Sequence, residues 1–238
     1  MNKLKKLNIE IFADGADIKK MFMLNKKKFI SGFTTNPSLM RHQKIYDYKT
    51  YANTILKKIN KKSISFEVTT DSMSEMEKQA IEISSWSRNI YVKIPFLNSK
   101  GIKTLPLIKK LSSTGMKINV TALFSFKQAQ DVLKVLNNNS DVYLSIFAGR
   151  IADTGIDPSI TIKKCLQASK KYKKVKILWA SCRQIFSIFE ANSLGCHIIT
   201  VPHLMINKLN LLNKNLDSYA LETSREFYLD SKKINFKY

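Results

Sequence analysis

Short apolar runs rich in β-branched residues recur along the chain, and stretches with helical periodicity separate them. Runs of this length and composition predict β-strands, because β-branched side chains pack well on a pleated surface. Alternation of such strands with helices is typical of α/β proteins with parallel sheets. Eight strands are predicted, over residues 8–14, 29–35, 63–69, 89–95, 117–123, 141–147, 176–181 and 197–202.

The stretches between the predicted strands carry apolar residues at steps of three and four, which is the spacing of one helix face. The clearest case covers residues 73–86, where Asp71 or Ser72 is the expected N-terminal cap. The apolar positions of this helix are Met73, Met76, Ala80 and Ile83.

Eight strands in a chain of 238 residues favour a (β/α)8 TIM barrel, whose active site lies at the carboxyl ends of the strands. The alternative is an open doubly wound sheet, but no glycine-rich phosphate loop follows the first strand. We predict one barrel domain over residues 1–238, with a C-terminal tail over residues 212–238 that is helical near residues 216–229. We expect a homo-oligomer, because the tail offers aromatic side chains that can pack on the barrel or on another subunit, namely Phe227, Tyr228, Phe236 and Tyr238.

The net charge of +22 is compatible with nucleic acid or an anionic membrane as a partner. The lysines are spread over many segments, however, and a bias in overall composition explains that distribution as well as a binding surface does. We therefore predict neither a nucleic-acid nor a membrane partner. A diffuse positive field would still attract phosphorylated small substrates.

The cysteines Cys165, Cys182 and Cys196 form no CxxC pair, and their odd number favours reduced thiols over a disulfide framework. Glu10 and Asp14 interrupt the apolar core that a signal peptide would need, and no run approaches the ~20 apolar residues of a membrane span. The three histidines are scattered, so no metal site is predicted. These features predict a cytoplasmic protein that uses no metal and no cofactor.

Lys93 is unusual among the lysines because apolar residues surround it in the segment NIYVKIPF, residues 89–96. Side chains alternate along a strand, so Lys93 lies on the face opposite to Val92 and Ile94 and points into the barrel if these two face the helices. Desolvation lowers the pKa of a buried lysine and favours the neutral amine needed for Schiff-base catalysis. The alternative is a packed stem with an ammonium that reaches water or pairs with Glu67 or Asp14.

Polar side chains stand at or just past the predicted strand ends, and a barrel would bring them to one rim. Two carboxylates in one pocket can supply an acid and a base, and paired arginines match a phosphate. Several have structural alternatives: Asp14 could cap the following helix, Asn36 could be a turn residue before Pro37, and the arginines could be surface residues. The candidates are Lys93, Asp14, Glu67 and Thr121 for catalysis, and Thr34, Asn36, Asn119, Phe147, Arg150, Ser181 and Arg183 for binding substrate.

The segments FADGAD, GFTTNPSL, FEV, VKIP, NVTALFS, SIFAGRI and ASCR occur in this order over residues 8–204. In order and spacing they resemble the transaldolase family, including the small transaldolase and fructose-6-phosphate aldolase group. The resemblance implies a metal-free class I enzyme that cleaves a ketose phosphate, such as fructose 6-phosphate or sedoheptulose 7-phosphate. The enzyme would keep a dihydroxyacetone unit on a lysine and pass it to an aldose phosphate.

The resemblance also implies roles for single residues. Lys93 in VKIP takes the place of the Schiff-base lysine, and Asp14 in FADGAD that of the acid/base for carbon–carbon cleavage. Glu67 and Thr121 would handle the water and protons of carbinolamine formation. The expected substrate ligands are Asn36 and Asn119 for the three-carbon unit, and Arg150, Ser181 and Arg183 for the phosphate.

Phe147 bears on the choice between two reactions. Members of the resembling group that release free dihydroxyacetone tend to carry a tyrosine there, so phenylalanine favours transfer. Aldolase-type cleavage and a catalytically idle barrel that acts as a binding protein remain the alternatives. The chain departs from the family pattern at Gly15, where a small hydroxyl residue is usual, and at Cys182, where a larger apolar or aromatic residue is usual.

Overall fold

Eight parallel strands close into a barrel in a computed structural model that describes residues 4, 7–137 and 139–234. Each strand pairs with the next along the chain, and the last strand pairs with the first. This arrangement confirms the predicted (β/α)8 TIM barrel. The strands are β1 Glu10–Asp14, β2 Ile30–Thr34, β3 Ser63–Glu67, β4 Ile90–Pro95, β5 Ile118–Leu123, β6 Val142–Ile146, β7 Val175–Trp179 and β8 Ile198–Pro202.

Helices connect the strands around the outside of the barrel. The predicted helix over residues 73–86 is present, and Ser72 rather than Asp71 caps it by accepting a hydrogen bond from Glu75 N. The helices are α1 Ile18–Asn25, α2 Pro37–His42, α3 Tyr48–Leu56, α4 Met73–Ser85, α5 Leu105–Ser113, α6 Phe126–Val135, α7 Ala148–Asp153, α8 Pro158–Ser169, α9 Phe186–Ser193, α10 His203–Ile206 and α11 Leu216–Lys233, with a 3₁₀ helix at Asn207–Leu211.

Most strands are shorter than the apolar runs that predicted them. The run over residues 63–69, for example, gives a strand that ends at Glu67. Val68 is nevertheless buried, and its backbone N–H still donates to the carbonyl oxygen of Lys93 at 3.1 Å. The apolar run therefore extends one residue past the assigned end of the strand.

The strands separate two apolar layers. Val92 and Ile94 belong to the layer between the strands and the helices, whereas Tyr91 belongs to the layer inside the barrel. Tyr91 stacks on Tyr143 with ring centroids 3.8 Å apart, and Phe12 meets Tyr143 edge to face at 5.9 Å. Because this aromatic layer fills the interior on the amino-terminal side, open space remains at the carboxyl ends of the strands.

The C-terminal helix α11 has no buried residue. Phe227 and Tyr228 are exposed, so the expectation that they pack on the barrel is wrong, and packing on another subunit stays a prediction. Phe236 and Tyr238 lie outside the described residues. Across the described part of the chain, no helix is both long and apolar enough to cross a membrane.

Candidate functional site

A cavity of about 180 Å³ opens at the carboxyl ends of the strands. Ten of the eleven candidate residues line it. The eleventh, Glu67, does not line the cavity but forms an ion pair with Lys93, which does. The structure thus brings the candidates together, while their roles stay a prediction. The lining residues are Asp14, Thr34, Asn36, Lys93, Asn119, Thr121, Ser145, Phe147, Arg150, Ala180, Ser181, Cys182, Arg183, Thr200 and Pro202.

Lys93 is 6% exposed and its side chain lines the cavity. The parallel register of β3 and β4 places Glu67 beside Lys93, and Lys93 Nζ lies 3.0 Å from Glu67 Oε2. Nζ also donates a hydrogen bond to the carbonyl oxygen of Thr35 at 2.9 Å. Lys93 therefore points into the barrel and also forms the ion pair that the structural alternative expected.

Asp14 ends β1 and lines the same cavity. Burial raises the pKa of its carboxyl group, while the positive charge of Lys93 and a hydrogen bond from Thr34 Oγ1 at 2.6 Å oppose that increase. The negative charge of Glu67 adds to it. A carboxyl group with a raised pKa holds its proton at a higher pH than an ordinary aspartate does, which suits an acid/base residue.

The helix caps test the structural alternatives to a functional role for Asp14 and for Asn36. Asp17 caps α1 by accepting a hydrogen bond from Lys20 N at 3.1 Å, so the expectation that Asp14 caps this helix is wrong. Asn36 does cap α2, because its Oδ1 accepts a hydrogen bond from Leu39 N at 3.0 Å. The side chain of Asn36 still lines the cavity, and its Nδ2 is the atom left to contact a ligand.

Asn119 and Thr121 project from β5 into the cavity and differ in hydrogen bonding. Asn119 Nδ2 donates to Ser65 Oγ at 3.0 Å, and Asn119 Oδ1 accepts from Ser145 Oγ at 2.7 Å. Thr121 Oγ1 is buried and has no hydrogen-bond partner within the described residues. An unpaired buried hydroxyl is costly, so Thr121 is available to a molecule that enters the cavity.

Two residues beside the cavity adopt a backbone conformation that favours glycine. Ala122 has φ 58° and Ser181 has φ 62°, a region that costs of order 1–3 kcal/mol for other residues. The loop at Ser181 is held against α7, because a Cβ on Gly149 would lie 1.6 Å from the carbonyl oxygen of Ser181. Two of the four non-glycine residues with positive φ in the described part of the chain thus lie beside the cavity, and the other two, Lys44 and Asn213, lie in loops elsewhere.

The two arginines stand at the mouth of the cavity in different environments. The guanidinium of Arg150 lies 5.6 Å from the ring centroid of Phe147. Arg183 donates to Asp153 Oδ2 from Nε at 3.1 Å and from Nη2 at 2.5 Å, and these two side chains are 52% and 50% exposed. Because exposed ion pairs contribute only about 0–1 kcal/mol, an anionic ligand could displace Asp153 from Arg183.

Sequence reasoning missed several lining residues, and two of them could have been found. Ser145 lies on β6 between the inward-facing Tyr143 and Phe147, and Thr200 lies two residues after the inward-facing Ile198. Alternation along the strand places each on the cavity side. Serine and threonine are ordinary strand residues, however, and no sequence signal separates a ligand-facing hydroxyl from a packed one.

The position of His203 explains why this chain has glycine at position 15, where the family pattern has a small hydroxyl residue. His203 is 7% exposed, and a Cβ at position 15 would lie 2.3 Å from Cε1 of its imidazole ring. Burial lowers the pKa of His203 to about 4, so the ring is neutral at pH 7. The ring therefore takes the space that a side chain at position 15 would need, directly beside Asp14.

Gly15→Ser is expected to lower the free energy of unfolding by about 1–3 kcal/mol, because overpacking against a buried ring strains the core. Adding His203→Ala should recover most of that loss, with His203→Ala alone as the reference. Urea unfolding of the three variants measures the effect. If the losses in free energy of unfolding from Gly15→Ser and His203→Ala simply added in the double variant, the steric explanation would be contradicted.

The three cysteines are free and buried. Burial raises the pKa of Cys165 and Cys196 to about 12 and that of Cys182 to about 11. At neutral pH these groups are thiols, and a thiol is a much weaker nucleophile than a thiolate. The departure at Cys182 therefore adds a small neutral side chain to the cavity.

Comparisons with known proteins identify the family of this chain. A family model described as Transaldolase/Fructose-6-phosphate aldolase matches residues 11–237. A curated "Probable transaldolase" of Dehalococcoides mccartyi is 33% identical over 202 residues, which cover 84% of this chain and 90% of that protein. A "Probable transaldolase" of Nitrosopumilus maritimus is 32% identical over 228 residues, or 95% of this chain and 96% of that protein.

A solved structure supports the fold alone. The crystal structure of a "putative lyase/mutase" from Burkholderia cenocepacia J2315 matches with a TM-score of 0.61 at 11% identity, over 88% of this chain and 82% of that chain. The family model and the curated relatives each cover most of the chain. On these findings, the chain belongs to the transaldolase/fructose-6-phosphate aldolase family.

Proposed function

We propose that this enzyme is a transaldolase that moves a dihydroxyacetone unit from a ketose phosphate to an aldose phosphate through a Schiff base on Lys93. The donor would be fructose 6-phosphate or sedoheptulose 7-phosphate. The observation that carries the proposal is a lysine buried in the barrel cavity, 3.0 Å from Glu67 and within the electrostatic influence of Asp14. Family membership supports aldol chemistry for such a lysine.

Schiff-base formation begins with the loss of a proton from Lys93, because only the neutral amine attacks a carbonyl. Glu67 Oε2 is within proton-transfer distance of Nζ. The nitrogen lone pair adds to the C2 ketone, and the carbinolamine then loses its hydroxyl group as water to give the imine. We assign the hydrogen bond to this departing water to Thr121, because its hydroxyl lines the cavity and has no other partner among the described residues.

Cleavage requires a base for the C4 hydroxyl group of the bound sugar, and we assign this task to Asp14. As the C3–C4 bond breaks, C4 becomes an aldehyde, and the bonding electron pair passes to the imine to form an enamine. Burial raises the pKa of Asp14, which makes its carboxylate a stronger base for the hydroxyl proton. The same steps in reverse attach the enamine to the acceptor aldehyde.

The remaining lining residues would bind and orient the sugar. Arg150, Ser181 and Arg183 lie together at the mouth, where two forked guanidinium groups can receive a phosphate. Asn119 is fixed at both ends of its amide, so it can present a rigid surface to the three-carbon unit. Thr34 and Asn36 would complete this part of the site.

Borohydride trapping tests the central step. Incubation with fructose 6-phosphate followed by borohydride is expected to reduce the imine to a secondary amine and leave a three-carbon adduct on the peptide that contains Lys93. A Lys103→Met variant, which removes an exposed lysine paired with Asp131, should still carry the adduct. An active protein without an adduct on Lys93, as seen by peptide mass spectrometry, would exclude the Schiff-base mechanism.

Release of free dihydroxyacetone is the second candidate reaction, and Phe147 argues against it. A phenyl ring has no hydroxyl group to hold the water that would protonate the enamine. We expect exchange that depends on an aldose phosphate such as erythrose 4-phosphate. Steady formation of dihydroxyacetone from fructose 6-phosphate alone would favour the aldolase instead, and neither activity in the folded protein would favour an idle barrel.

Three broader predictions accompany this proposal. The catalytic domain is expected to span residues 1–238, with residues 212–238 as its tail. The exposed aromatic residues of α11 support a homo-oligomer. Three cysteines without a disulfide support a location in the reducing cytoplasm.

A further inference from the structure

The fold gathers lysines that are dispersed in the sequence. Four consecutive loops lead from a helix into the amino-terminal end of the next strand, over residues 26–29, 57–62, 86–89 and 114–117. We call these loops the basic band. They contain nine cations and no acidic residue: Lys26, Lys27, Lys28, Lys57, Lys58, Lys61, Lys62, Arg88 and Lys117.

The basic band is continuous, because hydrogen bonds join each loop to the next. Lys62 Nζ donates to the carbonyl oxygen of Lys27 at 3.1 Å and joins the first two loops. Asn89 Nδ2 donates to the carbonyl oxygen of Lys62 at 2.7 Å and adds the third. Lys117 Nζ donates to the carbonyl oxygen of Arg88 at 3.0 Å and adds the fourth.

The charge of the basic band is not neutralised locally. Within the described residues, no carboxylate oxygen lies within 4.0 Å of these nine cations, although nine such ion pairs form elsewhere. Seven of the nine side chains are exposed. Another loop at the same end, residues 170–174, adds four lysines without an acid. Like charges held this close repel one another, and an anionic partner would relieve that repulsion.

The opposite end of the barrel does not share this imbalance. The loops that lead from a strand to the following helix carry the cations Lys100, Lys103 and Arg183 and the acids Asp17 and Asp71. A uniform bias in composition would load both ends with lysine alike. The difference therefore points to the amino-terminal end as a binding surface.

The side chains of the basic band indicate which polyanion fits. Eight of the nine cations are lysines, which contact phosphates as point charges and lack the planar fork that arginine offers to guanine. The large apolar residues of the band, Phe29, Ile59, Trp86 and Met116, are buried or half-buried. The band thus has no exposed apolar group for insertion into a membrane and no aromatic platform for the bases of a single strand.

We propose, in place of the sequence-based prediction that there is no nucleic-acid partner, that the basic band binds the phosphate backbone of double-stranded nucleic acid without reading its sequence. The cavity opens at the other end of the barrel, so a bound duplex leaves it accessible. Because each lysine–phosphate contact releases counterions, a protein with six to ten contacts loses about 10³- to 10⁵-fold in affinity between roughly 50 and 200 mM salt. We expect this protein to fall in that range.

A variant of the basic band tests the proposal by fluorescence anisotropy with a labelled DNA duplex of mixed sequence. The variant combines Lys26→Gln, Lys57→Gln, Lys61→Gln and Arg88→Gln, whose side chains form no hydrogen bond or ion pair with other described residues. It should fold normally, as checked by circular dichroism. Its salt slope should fall by about one for each phosphate contact removed, or by about four in all.

The matched control removes the same charge from the outer helices. Lys78, Lys109, Lys127 and Lys163 are exposed, and Lys78→Gln, Lys109→Gln, Lys127→Gln and Lys163→Gln together should leave the salt slope close to that of the unaltered protein. Equal weakening in both variants would show that the charge acts diffusely and would overturn the proposal.

Two further outcomes would also overturn it. One is an unaltered protein that shows no salt-dependent binding to the duplex. The other is binding to phosphatidylserine vesicles but not to the duplex, which would indicate a membrane surface. If the fourfold variant loses its cooperative unfolding, the double variants Lys26→Gln/Lys57→Gln and Lys61→Gln/Arg88→Gln are measured in its place, and each should lower the slope by about two.

Discussion

Lys93→Met is expected to abolish transfer of the three-carbon unit while the barrel still forms. Methionine matches the lysine stem in length and packs well in apolar surroundings, but it has no nitrogen to attack the ketone. Removing a covalent nucleophile or its essential partner lowers kcat by roughly 10⁴- to 10⁶-fold, and we expect a loss in this range. Rates with fructose 6-phosphate and erythrose 4-phosphate measure it.

The same substitution should also destabilise the fold, and a second variant separates the two effects. Without Lys93, the carboxylate of Glu67, only 17% exposed, loses its cation, and breaking a buried pair costs about 3–5 kcal/mol at full burial. Lys93→Met/Glu67→Gln should recover stability in urea without recovering activity. Lys103→Met is the control for loss of an exposed lysine. Substantial turnover by Lys93→Met would remove the basis of the proposed reaction.

Asp14→Asn is expected to slow the reaction and to stabilise the protein at neutral pH. Loss of a positioned acid/base residue costs about 10²- to 10⁴-fold in rate. Burial raises the pKa of Asp14 above its ordinary value of 3.8, so the folded state keeps a proton over a pH range in which the unfolded chain has released it. Wild-type stability therefore falls as pH rises through that range, and asparagine avoids the loss.

Urea unfolding as a function of pH measures this effect. The gain from Asp14→Asn should be present at pH 7, should shrink as pH falls toward the ordinary aspartate value of 3.8, and should be absent below it. Asp47→Asn is a control that should lower the free energy of unfolding at neutral pH instead of raising it. Hydrogen bonds from Thr50 lower the pKa of Asp47, so its charged form contributes stability there. Full activity of Asp14→Asn, or lower stability at pH 7, would contradict the assignment.

The sequence predicted the barrel and much of the cavity because both depend on strand periodicity. Alternation along β4 predicted that Lys93 and Val92 lie on opposite faces, and in the structure Lys93 lines the cavity while Val92 packs in the layer between strands and helices. The polar residues at strand ends meet because parallel strands bring their carboxyl ends to one rim. A period of two and the number of strands are enough to predict these features.

Contacts between residues distant in sequence could not be predicted this way. The fit of His203 against Gly15 joins positions 188 residues apart in the chain, and the pair of Arg183 with Asp153 links the loop after β7 to the end of α7. The grouping of basic loops at one end depends on the three-dimensional arrangement of helices and strands. Periodicity predicts the face of the strand from which a side chain projects, but it does not predict which distant residues that side chain contacts.

The aromatic layer of Phe12, Tyr91 and Tyr143 closes the amino-terminal side of the barrel interior. Both sugars of the proposed reaction must then use the same entrance, and the first aldehyde product has to depart before the second aldehyde arrives. Ping-pong kinetics, with competition between donor and acceptor at high concentrations, would follow from the shape of the barrel itself.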